Sequence, residues 1–116
     1  MGGLTPAQAK RDLRGSLTRV GGPVTLRRGA GPDAPEVTFK ARMTGARAVE
    51  GPAGTVSHEH TVILHADDLE GFPLPIRAKA QDAIWQDGRR FTVQQVDDQK
   101  RRVAGVLIGV ELVVRG

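Results

Sequence analysis

The 116-residue chain carries 17 Lys and Arg against 13 Asp and Glu, a formal net charge of +4, and contains no Cys. That length supports one domain with one modest core. The composition excludes disulfides, thiolate nucleophiles and Cys-ligated zinc, and its mild basic excess permits contact with DNA or an acidic protein surface without requiring either.

Leu, Ile, Val and Phe make up about a quarter of the chain, enough to predict a folded domain. Val leads that set and 15 Gly and 7 Pro punctuate it, which favours strands joined by turns. One Trp, three Phe and no Tyr are fewer aromatics than a base-stacking module usually shows. No apolar run reaches the roughly 18 residues of a membrane span, and the N-terminus lacks an apolar signal core. The expectation is an intracellular protein with no membrane partner.

In chain order, Thr5, Pro6 and Gln8 give an N-cap, a first-turn proline and a capping box. Ala9, Leu13, Leu17 and Val20 recur at helical spacing, predicting one helix over about 6–20 with a narrow apolar stripe. Gly21-Gly22-Pro23 ends it, with a left-handed glycine cap expected. Val24 and Leu26 alternate with polar residues, then two Gly and two Pro between Gly29 and Pro35 make a loop. Val37, Phe39, Ala41 and Met43 mark a half-buried strand.

Gly45 to Gly54 reads as a long loop broken by Gly51-Pro52. A strand follows from Thr55 to Ala66, then an irregular stretch from Asp67 to Pro75. Asp87-Gly88 between Asp82–Trp85 and Arg89–Val96 is a strong hairpin signal. After a polar turn at Asp97–Arg101, one closing strand is expected from Val103 to Val114, with Val106, Ile108, Val110, Leu112 and Val114 on one face. Strands that follow one another without crossover helices predict a mainly β fold: a small antiparallel barrel or sandwich of about six strands with one N-terminal helix. A helical arm is expected over 1–22 and the barrel over 23–116, with the long loop at 45–54.

Chemistry-bearing groups are sparse. His58 and His60 share a strand face as two zinc ligands can, but a third ligand would have to come from another strand. Ser57 and His58 are adjacent on a strand and point to opposite sides, so they do not pair as nucleophile and base. Asp67-Asp68 and Asp97-Asp98 sit where turns are expected, which accounts for them locally. Gly29-Ala30-Gly31-Pro32-Asp33-Ala34 spells a dinucleotide-loop pattern, but Pro32 removes an amide and no helix follows. Arg27-Arg28, Arg89-Arg90 and Lys100-Arg101-Arg102 can track a phosphate backbone or simply solvate turns. Trp85 and Phe91 flank the Asp-Gly turn as core or cross-strand packing.

The capped helix, Gly22-Pro23-Val24-Thr25-Leu26-Arg27-Arg28, and the second-half order through His65-Ala66-Asp67-Asp68-Leu69, Gln81–Trp85 and Arg89–Val96 resemble the lambda-type head–tail joining proteins of tailed bacteriophages and gene transfer agents. These are also called head-closure or stopper proteins. The resemblance covers roughly Leu4 to Gly116. Asp82, Ile84, Gly88, Phe91, Val93 and Val96 carry its hairpin pattern; Gln81 departs from the Gly that many relatives place before the Asp.

What the resemblance implies is structural: a sixfold ring of copies between the portal-bound adaptor and the tail terminator, retaining packaged double-stranded DNA and docking the tail. It implies no catalysis and no cofactor, assembly in the bacterial cytoplasm, and residence in a virion or gene-transfer particle. The segment expected to form the ring or line its channel is Gly45, Ala46, Arg47, Ala48, Val49, Glu50, Gly51, Pro52, Ala53 and Gly54, since long loops in compact domains tend to be functional. Leu13 and Leu17 of the helix are the second candidate contact, on the chain's own barrel or on a neighbour. The alternative is an OB-like nucleic-acid-binding barrel, and a third reading is a metal enzyme using His58 and His60.

Overall fold

Helix α1 runs from Pro6 to Val20 in a computed structural model that describes residues 4–29, 31–79 and 81–116 and, for Ala46, the backbone alone. Ala30 of the glycine pattern lies outside the described residues. Thr5 closes the predicted capping box: its hydroxyl accepts from the Gln8 amide at 3.2 Å, and its own amide donates to Gln8 Oε1 at 3.1 Å. Gly21 departs from the expected left-handed cap. Its backbone is extended (φ −87°, ψ 164°) and its amide donates to the Leu17 carbonyl, so the chain passes straight into the first strand.

The strands are β1 (Gly22–Arg28), β2 (Glu36–Glu50), β3 (Val56–His65), β4 (Asp82–Gln86), β5 (Arg89–Asp97), β6 (Arg102–Val103), β7 (Val106–Leu107) and β8 (Gly109–Arg115). Six of them close a barrel in the order β1-β2-β3-β8-β5-β4 and back to β1, and each of these neighbouring pairs is antiparallel. The fold is therefore two three-stranded meanders, β1–β2–β3 and β4–β5–β8, joined along two seams. Inward positions alternate as the sequence predicts: Val24, Leu26, Val62, Leu64, Ile84, Val93, Leu112 and Val114 belong to one core cluster. Each fully buried aliphatic contributes about 1.5–3 kcal/mol. Trp85, one residue from the buried Ile84, lies half-buried in register with Thr25 and Arg90, on the outer wall.

The single closing strand expected from Val103 is divided. Ala104 (φ 50°) and Gly105 (φ 78°) make a left-handed turn between β6 and β7, and Val106 stands exposed while Ile108 and Val110 are buried. At Asp87-Gly88 the same turn chemistry (φ 52° and 77°) forms the predicted hairpin.

Helix α1 lies against the barrel beside the 3-10 turn Ala66–Leu69. Leu17 is 1% exposed and Ala9 is buried, whereas Val20 of the same predicted stripe is 58% exposed. Gly109 permits the approach: a Cβ there would lie 2.8 Å from Leu13 Cδ2 and 2.9 Å from the Leu64 carbonyl oxygen. Polar ties hold the helix in place. Lys10 meets Asp67 at 3.0 Å, and Arg14 grips Asp68 through two bonds of 2.9 and 2.8 Å. Buried His65 places Nε2 3.0 Å from the Lys10 carbonyl and accepts the Asp67 amide at Nδ1. Asp67-Asp68 thus serve as helix anchors.

Candidate interaction surface on the β2–β3 ribbon

Strand β2 is longer than its neighbours. It pairs with β1 only from Glu36 to Ala41, while its pairing with β3 continues from Arg42 to Glu50. On the other side β3 meets β8 from His65 back to Glu59, extended by paired backbone bonds of 3.0 Å between His58 and Gly116. Residues 45–57 therefore project past the barrel as a two-stranded ribbon, and among the described residues β2 from residue 42 to 50 has no strand along its outer edge. An open strand edge is a template for pairing with another chain.

This revises the long loop expected at 45–54. Gly45 to Glu50 are strand, Gly51 is extended, and Pro52–Gly54 form a tight turn with Ala53 in the left-handed region (φ 57°). The tip is closed by its own bonds: the Gly51 amide donates to the Thr55 carbonyl at 2.7 Å, and the Thr55 hydroxyl donates to the Pro52 carbonyl at 2.8 Å. Cross-strand pairing with Val56–Glu59 overrode the weak strand propensity of a Gly- and Ala-rich segment.

A bulge between Thr44 and Arg47, with Gly45 at φ 69°, places two residues opposite one and reverses the inward–outward parity of β2. Beyond it Arg47 and Val49 share a face with Ser57 and Glu59. Ala48 and Glu50 share the opposite face with Val56 and His58, in line with the core side of β3. Arg47 is 77% exposed and reaches Glu59 at 3.5 Å, and Glu59 also meets Arg115 at 3.2 Å. Val56 is 57% exposed at the tip.

The other sequence-predicted residues go elsewhere. Leu17 is buried and Leu13 half-buried against the chain's own barrel, one of the two placements expected for them, while Val20 of the same stripe is exposed. His58 is exposed, while the His60 ring stands edge-on to Phe91 at 5.3 Å. Among the described residues no group of three His, Cys, Asp or Glu is placed to hold a metal. Asp97 accepts the Gln99 and Lys100 amides at 3.0 Å, a turn contact of the kind expected.

Two features escaped sequence reasoning. Asp82, fully buried, takes Arg28 Nε at 2.7 Å and Nη2 at 2.9 Å, and accepts the Arg77 amide at 2.6 Å. Arg28 also donates to the carbonyls of Pro73 and Pro75 and lies 5.2 Å from the Phe72 ring centroid. Its hydrogen bonds to Asp82 raise the guanidinium pKa further above the ordinary value. The second feature, at the barrel end away from the ribbon, is an apolar groove of about 310 Å³ lined by Leu69, Leu74, Ile76, Val96, Leu107 and Val110. Their sequence separation hid both.

No protein-family model matches the chain, and no curated protein is detectably similar to it.

Proposed function

We propose that the chain is a structural connector subunit whose copies assemble into a ring at the head–tail junction of a phage or gene-transfer particle. Its partners there are a portal-bound adaptor, a tail terminator and the packaged double-stranded DNA. The observation that carries this reading is the β2–β3 ribbon: a self-closed barrel gains nothing in core burial from a hairpin whose tip is exposed throughout. Its open edge and exposed Arg47 and Val56 suit contact with another subunit. The sequence resemblance supplies the location.

The test replaces residues 47–56 by a two-residue turn and uses the variant to complement a null mutant. The expected outcome is an unchanged thermal melt with loss of infectious or transfer-competent particles. A normal titre with a normal melt overturns the assignment of function to the ribbon.

The outer wall favours one second reading, a nucleic-acid-binding barrel. Trp85 stands beside Arg90, with Lys40 and Arg42 on the outward side of β2. Among the described residues none of these three cations lies within 4.0 Å of a carboxylate. Cations flanking an aromatic suit a nucleic-acid strand. As the only Trp, Trp85 reports directly: salt-sensitive quenching by an oligonucleotide supports this reading, and unchanged fluorescence at low salt removes it.

A further inference from the structure

We propose that His65 is a proton-operated latch on helix α1: the neutral ring holds the helix to the barrel, and a second proton on the ring frees it. The observation that carries this is the ring's pair of bonds. His65 is 2% exposed and caps the 3-10 turn Ala66–Leu69, where its Nδ1 accepts the Asp67 amide at 3.1 Å. Nδ1 therefore carries no proton, and Nε2 donates its own to the Lys10 carbonyl at 3.0 Å. One neutral tautomer satisfies both bonds. The imidazolium, a donor at both nitrogens, satisfies only the second.

The surroundings decide what a proton at Nδ1 does. From α1 come Lys10 and Arg14, and from the turn Asp67 and Asp68. On β2, continuing the Arg42–Ile63 register brings Lys40 level with His65. On β8, His65 pairs with Gly109, and Glu111 two residues on holds Lys100 and Arg101. All three carboxylates are thus already engaged by cations.

The new proton therefore has two destinations. Left facing the Asp67 amide, it breaks the cap of the turn. Taken up by the Asp67 carboxylate, it draws that carboxylate away from Lys10. Both loosen the same attachment, because Asp67 and Asp68 are the anchors of α1. The attached state binds one proton fewer at this ring than the detached state, so lowering the pH shifts the population toward the detached helix. The opening is local: it uncovers Ala9 and Leu17 while the six-strand ladder stays closed.

Hydrogen exchange on the full chain, corrected for the intrinsic pH dependence of amide exchange, reads that opening. Between about pH 7.5 and 5.5 imidazoles ordinarily titrate and carboxylates do not, and α1 amides are expected to lose about tenfold in protection relative to β3–β8 amides. H65N offers an Oδ1 cap acceptor in place of Nδ1 and does not titrate, so its ratio is expected to stay flat. H58Q/H60Q leaves His65 as the last of the chain's 3 histidines and is expected to keep the full loss, which decides the matter should H65N fail to fold. A wild-type ratio that does not change with pH overturns the latch. So does the same loss in H65N, or its disappearance in H58Q/H60Q.

Discussion

Removing the buried Asp82 carboxylate takes the ion pair from the half-buried Arg28 guanidinium and leaves the Arg77 amide unbonded, because Arg28 and Arg77 both converge on it. Breaking a buried pair by deleting one partner costs about 3–5 kcal/mol. D82A is therefore expected to lower the urea midpoint by a large fraction of total stability, whereas removing Arg42, exposed and without an ion pair among the described residues, leaves it nearly unchanged. Glu111 supplies the acid limb. Its carboxyl is held below the ordinary value of 4.5 first by the hydrogen bond from Lys100 and, against burial, by Arg101. The folded value lies below the unfolded one, so this contribution is complete above about pH 4.5 and is lost as pH falls through the depressed value. Wild-type melting temperature should decline across that window, and E111Q should flatten the decline. Chelator should leave the melt unchanged, since His58 points to solvent and His60 packs on Phe91. That His58 and His60 share a strand face was readable from parity, and the role of Asp97 from turn chemistry; the packing of His60 on Phe91 was not. The Arg28–Asp82 clamp was not: its partners stand 54 residues apart, and only barrel closure brings them into register.

Helix α1 is a locally specified element held by tertiary contacts. T5A removes the cap hydroxyl and is expected to cost about 1 kcal/mol, while L17A, at a position 1% exposed, is expected to cost about 2–5 kcal/mol. Denaturant titration separates the two. The helix boundaries were legible because Thr5, Pro6, Gln8 and Gly21 all lie within the element or beside it. The Asp87-Gly88 hairpin was legible for the same reason. Gly45–Glu50 was not, because those residues are strand through what β3 supplies across the ladder, and a bulge breaks the alternation that reveals a strand. The division of the last strand did have a local sign, the glycine at 105 after Ala104. The apolar run around it masked that turn.

At the scale of the whole molecule, the ribbon sets the shape. A radius of gyration of 15.0 Å exceeds the roughly 13 Å of a compact chain this long. Micromolar protein is expected to sediment as a monomer with a raised frictional ratio, and the ribbon-shortened variant as a rounder one; a stable large ring without partners overturns that expectation. The two seams also govern how the chain folds. Each meander forms from near neighbours, but β3–β8 and β1–β4 join distant segments, Arg28 to Asp82 among them. Closing a loop of about 54 residues costs roughly 3.5 kcal/mol in chain entropy before any seam contact forms. The rate of folding is thus set by the meeting of two preformed halves, in the millisecond-to-second range of non-local β folds. If the Arg28–Asp82 pair locks the second seam after that meeting, D82A will accelerate unfolding and leave the refolding limb of the chevron almost untouched.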